Sequence, residues 1–261
     1  MANRVPLIAG NWKMNLDWQQ AIALTQKLSW SLKDAGHDYT SAEVVVFPPF
    51  TDLRSVQNVI DADQMELGLG AQDLSQFDSG AYTGDISGAF LKKLAVSYVL
   101  VGHSERRTCH HEGDAIIQAK TAAAFRHGLV PVICVGETLE ELETEGAAAV
   151  PIRQTIAALA GHDKLGDFVI AYEPVWAIGT GKVATAEEAA SVAGKIREAI
   201  ANEHGEPVAQ ATRILYGGSV KANNVAGFLR SPEVDGVLVG GASLDADEFS
   251  GIARFQKHLA L

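Results

Sequence analysis

Short apolar runs of four to seven residues recur along the chain and alternate with segments of helical spacing. An apolar run of this length is typical of a β-strand that is buried on both faces. Between the runs, Ala21, Leu24 and Leu28 repeat at helical intervals. The motif Thr185-Ala186-Glu187-Glu188 predicts the capped start of a helix that continues to about Ala201. The eight predicted strands are Val5–Ala9, Glu43–Phe47, Glu66–Gly70, Ser97–Val101, Leu129–Val135, Phe168–Tyr172, Arg213–Tyr216 and Gly236–Val239.

Strict alternation of strand and helix predicts parallel strands joined by crossover helices. Eight such units in 261 residues come to about 33 residues each, which suits a closed α/β barrel of the (β/α)8 type, ringed by helices. The last predicted helix has an apolar stripe, which is formed by Ile252, Phe255 and Leu259. No linker-like stretch divides the sequence, so we predict a single domain over residues 1–261.

The chain is acidic, with 21 Lys and Arg residues against 32 Asp and Glu residues and a formal net charge of −11 at pH 7. Such a charge disfavours nucleic-acid binding, and it means that an anionic substrate must be held by a local positive field. No apolar run approaches the ~18 residues of a membrane span, and the run Val5–Gly10 is too short for a signal peptide. Two cysteines, Cys109 and Cys134, make no disulfide framework. We therefore expect a cytoplasmic protein with neither a nucleic-acid nor a membrane partner.

Polar or glycine-rich residues follow five of the predicted strands. In a barrel of this kind the active site lies at the carboxyl ends of the strands, so these residues are expected to meet on one face. Any one of these elements alone carries little weight, whereas the ordered set is specific. The five stretches are Gly10-Asn11-Trp12-Lys13, Gly102-His103-Ser104-Glu105-Arg106-Arg107, Glu173-Pro174, Gly217-Gly218-Ser219 and Gly240-Gly241.

Three of these side chains are candidates for chemistry. Glu173 is a candidate general base, although an acid at a strand end is more often only solvated or ion-paired. His103 stands at the start of a predicted helix, whose partial positive charge disfavours the imidazolium, so we expect a neutral hydrogen-bond donor. Lys13 is a candidate anion clamp. The two glycine pairs are either bare turns or the phosphate-binding turns found after the last strands of many barrels.

The segment that follows Glu173 has an apolar middle and two glycines near its end. An apolar loop with such hinges is typical of a lid that closes over a bound ligand. The predicted lid comprises Pro174, Val175, Trp176, Ala177, Ile178, Gly179, Thr180, Gly181 and Lys182.

A metal site is not predicted. His110 and His111 are adjacent, so they cannot share one face of a helix, and no cluster of carboxylates or histidines stands at the other strand ends. Cys134 has no neighbouring histidine in the sequence and is read as a packed thiol.

These motifs resemble the triosephosphate isomerase family over essentially the whole chain. The departures are small: Asp73 stands where many members have Asn, and Tyr82 where many have Phe. The resembling stretches are Gly10–Asn15, Gly102–Arg107, Cys134–Glu137, Ala171–Lys182, Tyr216–Val220 and Leu238–Ser243.

The resemblance implies a TIM barrel that interconverts dihydroxyacetone phosphate and D-glyceraldehyde 3-phosphate without cofactor or metal. It implies that Glu173 removes a proton from the carbon beside the carbonyl and that His103 polarises the carbonyl oxygen, a pairing for which the family is known. By the same resemblance Asn11 and Lys13 stabilise that oxygen and the phosphate, and Glu105 positions Lys13. The residues implied to cradle the phosphate are Gly179, Ser219, Gly240 and Gly241.

The resemblance also implies how the lid moves. Trp176 is expected to exchange a contact with Tyr172 for one with Glu137 as the lid closes. Tyr216 and Ser219 are expected to latch the closed lid at Ala184 and Gly181.

A long connection, Gln72–Asp85, follows the third predicted strand, where about 2–6 residues are usual. Phe77 and Tyr82 on such a loop need a surface to bury against, and a symmetric partner is the commonest one. The resemblance implies that the loop docks beside the first strand-end loop of a neighbouring subunit, with Met14 at the interface. We therefore predict a homodimer in which each site takes its catalytic residues from one chain.

Two other functions stay open on the sequence. Another phosphosugar barrel enzyme, an epimerase or a Schiff-base aldolase, would need metal ligands or a desolvated lysine inside the barrel. A non-catalytic protein on a barrel scaffold would be expected to have lost part of the set of strand-end residues, which is complete here.

Overall fold

Eight parallel strands form a closed barrel, each hydrogen-bonded to the next and the last to the first. The computed structural model describes residues 4–162, 165–177 and 184–259. Every predicted strand is present within two residues of its predicted bounds, so the predicted TIM barrel is confirmed. The strands are β1 (Leu7–Asn11), β2 (Glu43–Phe47), β3 (Gly68–Ala71), β4 (Tyr98–Val101), β5 (Val130–Val135), β6 (Val169–Tyr172), β7 (Arg213–Tyr216) and β8 (Gly236–Val239).

Helices follow every strand and surround the barrel. Short 3₁₀ turns at Val175–Ala177 and Gly241–Leu244 follow β6 and β8. None of the helices in the described ranges is long and apolar enough to cross a membrane. The α-helices are α1 (Trp18–Asp34), α2 (Leu53–Ala62), α3 (Gly88–Lys93), α4 (Ser104–Cys109), α5 (Asp114–Arg126), α6 (Leu139–Glu145), α7 (Ala149–Leu159), α8 (Ala186–His204), α9 (Glu206–Ala211), α10 (Val225–Leu229), α11 (Ala246–Ala253) and α12 (Gln256–Leu259).

Apart from Asn11, Glu43 and Arg213 at their ends, the strands carry no charged or amide side chain. This composition is expected because successive side chains point to opposite faces and both faces are buried. One set of side chains fills the barrel interior, and the alternate set packs against the helices. The interior set consists of Leu7, Ala9, Val45, Phe47, Tyr98, Leu100, Val132, Cys134, Val169, Ala171, Leu215 and Leu238. Cys134 is thus a packed side chain, and burial raises the pKa of its thiol.

The predicted start of α8 is confirmed. The Thr185 hydroxyl accepts the Glu188 N–H at 3.1 Å, and the Glu188 carboxylate accepts the Thr185 N–H at 2.8 Å. The helix continues to His204, slightly beyond the predicted end.

The prediction of one continuous last helix is wrong. The chain turns at Arg254 and Phe255, which separate α11 from α12. The Arg254 guanidinium donates to the Ser250 carbonyl at 3.1 Å and so satisfies an acceptor at the helix end. As a result Ile252 and Phe255 are buried, whereas Leu259 is exposed.

We predict that Gly70→Ala destabilises the barrel. A Cβ at this position of β3 would overlap the ring of Phe47 inside the barrel. Overpacking of a filled core costs about 1–3 kcal/mol, and we expect the free energy of unfolding to fall by that amount in a urea titration.

Gly227→Ala is the matched control. Gly227 lies on α10, and a Cβ there meets no atom within 4 Å. The control is expected to raise stability slightly, by up to about 1 kcal/mol, because alanine favours a helix. Equal stability of the two variants would contradict the packing account.

Candidate active site

The carboxyl ends of the strands bring the predicted site residues to one pocket. Asn11 ends β1, His103 follows β4, and Glu173 comes directly after β6. The cavity between them has a volume of about 260 Å³. It is lined by Asn11, Lys13, His103, Glu173, Gly217, Gly218, Ser219, Val220, Lys221, Leu238, Val239, Gly240, Gly241 and Ala242. Of the predicted phosphate-binding residues, Gly179 lies outside the described residues.

Glu173 is a buried carboxylate with two hydrogen-bond partners. Its Oε2 accepts the backbone N–H of Ser104 at 3.0 Å, and its Oε1 lies 3.0 Å from Nε2 of His103. Burial raises the pKa of Glu173, but the contacts with His103 and Ser104 stabilise the anion more, and the net direction is downward. The group is therefore ionised near neutral pH and can accept a proton.

His103 is the N-cap of α4, and its Nδ1 accepts the Glu105 N–H at 3.2 Å. An accepting Nδ1 carries no proton, so we assign the proton to Nε2, which donates to Glu173. The sequence analysis likewise expects a neutral histidine that donates a hydrogen bond. Burial lowers the pKa of His103, whereas the Glu173 carboxylate raises it, and the net direction is upward. That rise in the pKa of His103 depends on the contact with Glu173.

Lys13 reaches the pocket from a strained backbone. Its φ of 53° lies in the left-handed region, which non-glycine residues seldom adopt. The Asn11 Oδ1 accepts the Lys13 N–H at 3.0 Å, and the Gln72 amide donates to the Lys13 carbonyl at 2.7 Å. The Lys13 ammonium pairs with Glu105 Oε1 at 2.5 Å. Glu105 therefore contacts Lys13 as the resemblance implied.

Gln72 is a residue of the site that sequence reasoning missed. Besides the Lys13 carbonyl, its amide donates to the Phe47 carbonyl at 2.9 Å. Only its position directly after β3 could have suggested a role, because nothing in the sequence indicates which carbonyl an amide will bind.

Two glycines of the pocket leave the space that the side chains of Lys13 and Glu173 occupy. A Cβ at Gly240 would lie 3.3 Å from Cε of Lys13, and a Cβ at Gly217 would lie 2.9 Å from Cγ of Glu173. A side chain at Gly240 would therefore displace Lys13, and a side chain at Gly217 would displace Glu173.

A buried charge cluster, formed by Asp73, Arg106, Glu112 and Lys120, supports α4. The Lys120 ammonium lies 2.7 Å from each Asp73 oxygen and 2.6 Å from Glu112 Oε1. The Arg106 guanidinium pairs with Asp73 at 3.0 Å and Glu112 at 2.7 Å. Two cations thus face two anions, and the departure from the family at Asp73 supplies one of the negative charges. Because Arg106 lies on α4, the cluster ties the helix that carries His103 to the loop after β3.

The first residues of the predicted lid lie over Glu137. Trp176 Nε1 donates to Glu137 Oε1 at 2.8 Å, and the Tyr172 hydroxyl donates to the same oxygen at 2.9 Å. The Trp176 contact is the one that the resemblance implied for a closed lid. Ile178, Gly179, Thr180, Gly181 and Lys182 lie outside the described residues, and so does the part of the predicted latch that involves Gly181. Ala184 is described: burial raises the pKa of Tyr216 to about 12, and a hydrogen bond with the Ala184 backbone opposes that rise.

Within the described ranges, no group of three or more His, Cys, Asp or Glu side chains is arranged so that it could hold a metal ion. His110 and His111 are both exposed.

A buried carboxylate beside a histidine, a Lys–Glu ion pair and glycine turns meet on one face of the barrel, an arrangement suited to proton transfer on an anionic substrate. The sequence profile of the triosephosphate isomerase family matches residues 6–256, and the chain belongs to that family. It is 61% identical over 256 residues to the triosephosphate isomerase of Leifsonia xyli subsp. xyli, covering 98% of this chain and 99% of the relative. It is 54% identical to those of Streptomyces avermitilis, covering 98% and 99% of the two chains, and Mycobacterium bovis, covering 96% of each.

We predict that Glu173→Asp lowers kcat by about 10²-fold and leaves KM within a few-fold of its original value. The shorter acid withdraws the carboxylate by one methylene, and a misplacement of about 1 Å can cost that much. Steady-state kinetics measures the effect.

Glu145→Asp is the control, because Glu145 lies on the surface in an ion pair with Arg153. We expect it to keep the original kcat. A Glu173→Asp variant with near-normal kcat would exclude Glu173 as the base.

Proposed function

We propose that this pocket interconverts dihydroxyacetone phosphate and D-glyceraldehyde 3-phosphate with Glu173 as the base and His103 as the hydrogen-bond donor. Membership of the triosephosphate isomerase family makes the chain an isomerase. The observation that carries the residue roles is the contact between the buried Glu173 carboxylate and Nε2 of His103 at 3.0 Å, beside Lys13 in one cavity.

The first step is removal of a proton from the carbon next to the substrate carbonyl. Glu173 takes this proton, the C–H electron pair forms the enediolate double bond, and the carbonyl oxygen becomes negative. In the ligand-free arrangement Glu173 is engaged by Ser104 and His103, so it must turn from both to reach the carbon. His103 Nε2 is then free to donate to the developing oxyanion. A proton then moves from the hydroxyl on the deprotonated carbon to the oxyanion, and the electron pair left on that hydroxyl oxygen forms the new carbonyl. Glu173 returns its proton to the carbon that bore the original carbonyl, which completes the isomerisation.

The oxyanion and the phosphate need positive charge in an acidic protein. Lys13 supplies it, and the ion pair with Glu105 orients the ammonium. A Schiff-base aldolase would need a desolvated lysine inside the barrel, whereas Lys13 lies at a strand end in an ion pair. Fixed donors aimed at the developing charge stabilise it more in a dry pocket than in water.

Lid closure would provide the dry pocket. Val175 and Trp176 begin the apolar part of the lid, and Leu238 lines the cavity opposite. Burial against these side chains would raise the pKa of Glu173 once its contacts with His103 and Ser104 are released, and so strengthen it as a base.

We predict that the chain converts D-glyceraldehyde 3-phosphate in a coupled assay and that Lys13→Ala lowers kcat and raises KM. Loss of one such donor costs about 10²–10³-fold in kcat in comparable sites. Lys93→Ala, on the exposed end of α3, removes one positive charge elsewhere and should change neither constant. Inactivity of the unaltered chain would refute the function, and full activity of Lys13→Ala would refute the clamp.

We propose that the chain forms a homodimer through the Gln72–Asp85 loop. Phe77 and Tyr82 stack on each other with centroids 3.9 Å apart and remain 38% and 42% exposed, and Met14 is 95% exposed. These apolar surfaces support a partner that covers them. Gln72 connects the start of the loop to the Lys13 carbonyl, so the loop and the ammonium are coupled.

Shortening the 76–82 segment should give a folded monomer with much reduced activity, because the support of Lys13 is weakened. Light scattering and activity on the same sample test this prediction. A fully active monomer would contradict the coupling, and an unaltered chain that is monomeric at micromolar concentration would contradict the dimer.

We also propose that residues 1–261 form a single domain and that the protein is cytoplasmic. Its partners are triose phosphates, and we expect it to bind neither nucleic acid nor a membrane. Both cysteines are free thiols, which supports a reducing compartment.

A further inference from the structure

We propose that Lys221 is a steering cation of the pocket, which attracts the substrate phosphate to the entrance before Lys13 receives it. The inference rests on the proposed function, since it concerns the phosphate of that substrate. Lys221 would thus affect the rate and specificity of substrate binding, although it takes no part in the proton transfer.

Lys221 lines the same cavity as Lys13, His103 and Glu173, and it is exposed to solvent. It comes shortly after Ser219, which the resemblance implies as one of the residues that cradle the phosphate. Lys221 therefore lies between the solvent and the end of the pocket where we propose that the phosphate binds.

The backbone at Lys221 is held in place by Asn224. The Asn224 Oδ1 accepts the Lys221 N–H at 2.8 Å, and its Nδ2 donates to the Ser219 carbonyl at 3.2 Å. The N–H groups of Asn224 and Val225 donate to the Lys221 carbonyl at 3.1 and 3.0 Å. The lysine therefore projects from an ordered turn that borders the cavity.

The charges of the pocket leave Lys221 uncompensated. Lys13 is neutralised by Glu105 at 2.5 Å, and Glu173 adds a negative charge. With His103 neutral, these inner groups sum to −1. No described carboxylate forms an ion pair with Lys221 within 4.0 Å. Among the described side chains that line the cavity, Lys221 is thus the positive charge without a counter-ion.

This charge matters because the protein as a whole repels the substrate. The formal net charge is −11, and a phosphate monoester carries a charge of about −2 near neutral pH. A local cation at a cleft raises the association rate of an anion, and the effect is screened beyond about 8 Å at physiological salt. Triosephosphate isomerases approach the diffusional ceiling, so a slower encounter lowers kcat/KM directly.

The test compares Lys221→Gln, Lys221→Glu and Lys221→Arg with Lys195→Gln. Lys195 is an exposed lysine on α8 that does not line the cavity. The Lys195→Gln variant therefore loses the same charge outside the cavity. We measure kcat and KM for D-glyceraldehyde 3-phosphate at low and high ionic strength. D-Glyceraldehyde, which has no phosphate, serves as the uncharged substrate.

At low ionic strength we expect Lys221→Gln to lower kcat/KM about threefold and Lys221→Glu about tenfold. The first variant changes the charge near the phosphate dianion by one unit and the second by two. We expect kcat to change by less than twofold, Lys221→Arg to restore most of kcat/KM, and Lys195→Gln to have little effect. The differences should shrink towards unity at high salt, and they should be absent for D-glyceraldehyde.

Three results would overturn the proposal: equal losses in Lys221→Gln and Lys195→Gln, a loss in Lys221→Gln that persists at high salt, or an equal loss with D-glyceraldehyde. An unaltered chain without isomerase activity would instead refute the proposed function, so the two failures are distinguishable.

Discussion

The buried carboxylate of Glu173 is the feature on which the site depends. An ionised carboxylate in a protein interior costs several kcal/mol unless partners replace its water. Here the partners are the Ser104 N–H and His103 Nε2, both at the start of α4. The geometry of α4 therefore influences the charge state of Glu173. In the mechanism that we propose, the carboxylate leaves these same contacts in order to reach the substrate.

The rest of the structure holds α4 in that position. Strands β4 and β6 bring His103 and Glu173 to the same end of the barrel, and Arg106 anchors α4 to the buried charge cluster. Glu105, on the same helix, pairs with Lys13 from the end of β1. Residues at the start of one short helix thus contact Glu173 and Lys13.

Local patterns predicted the barrel and most of the pocket. Strand positions follow from apolar runs, the start of α8 follows from its capping box, and the carboxyl ends of parallel strands must meet in a closed barrel. Contacts between distant residues were not predictable. Lys120 is a buried lysine that pairs with Asp73 and Glu112, and Gln72 binds the Lys13 carbonyl, because the fold brings these groups together across long sequence separations. The break between α11 and α12 was missed because an apolar stripe does not reveal a side chain that caps a helix end.

The central claim is that isomerisation proceeds by proton transfer through Glu173. The most direct measurement is conversion of dihydroxyacetone phosphate in D₂O, with the product analysed for deuterium on the carbon that receives the proton. A proton on a carboxylate can exchange with solvent, so the account predicts deuterium in the product and loss of both turnover and incorporation in Glu173→Gln. A product free of deuterium, or undiminished turnover in Glu173→Gln, would contradict it.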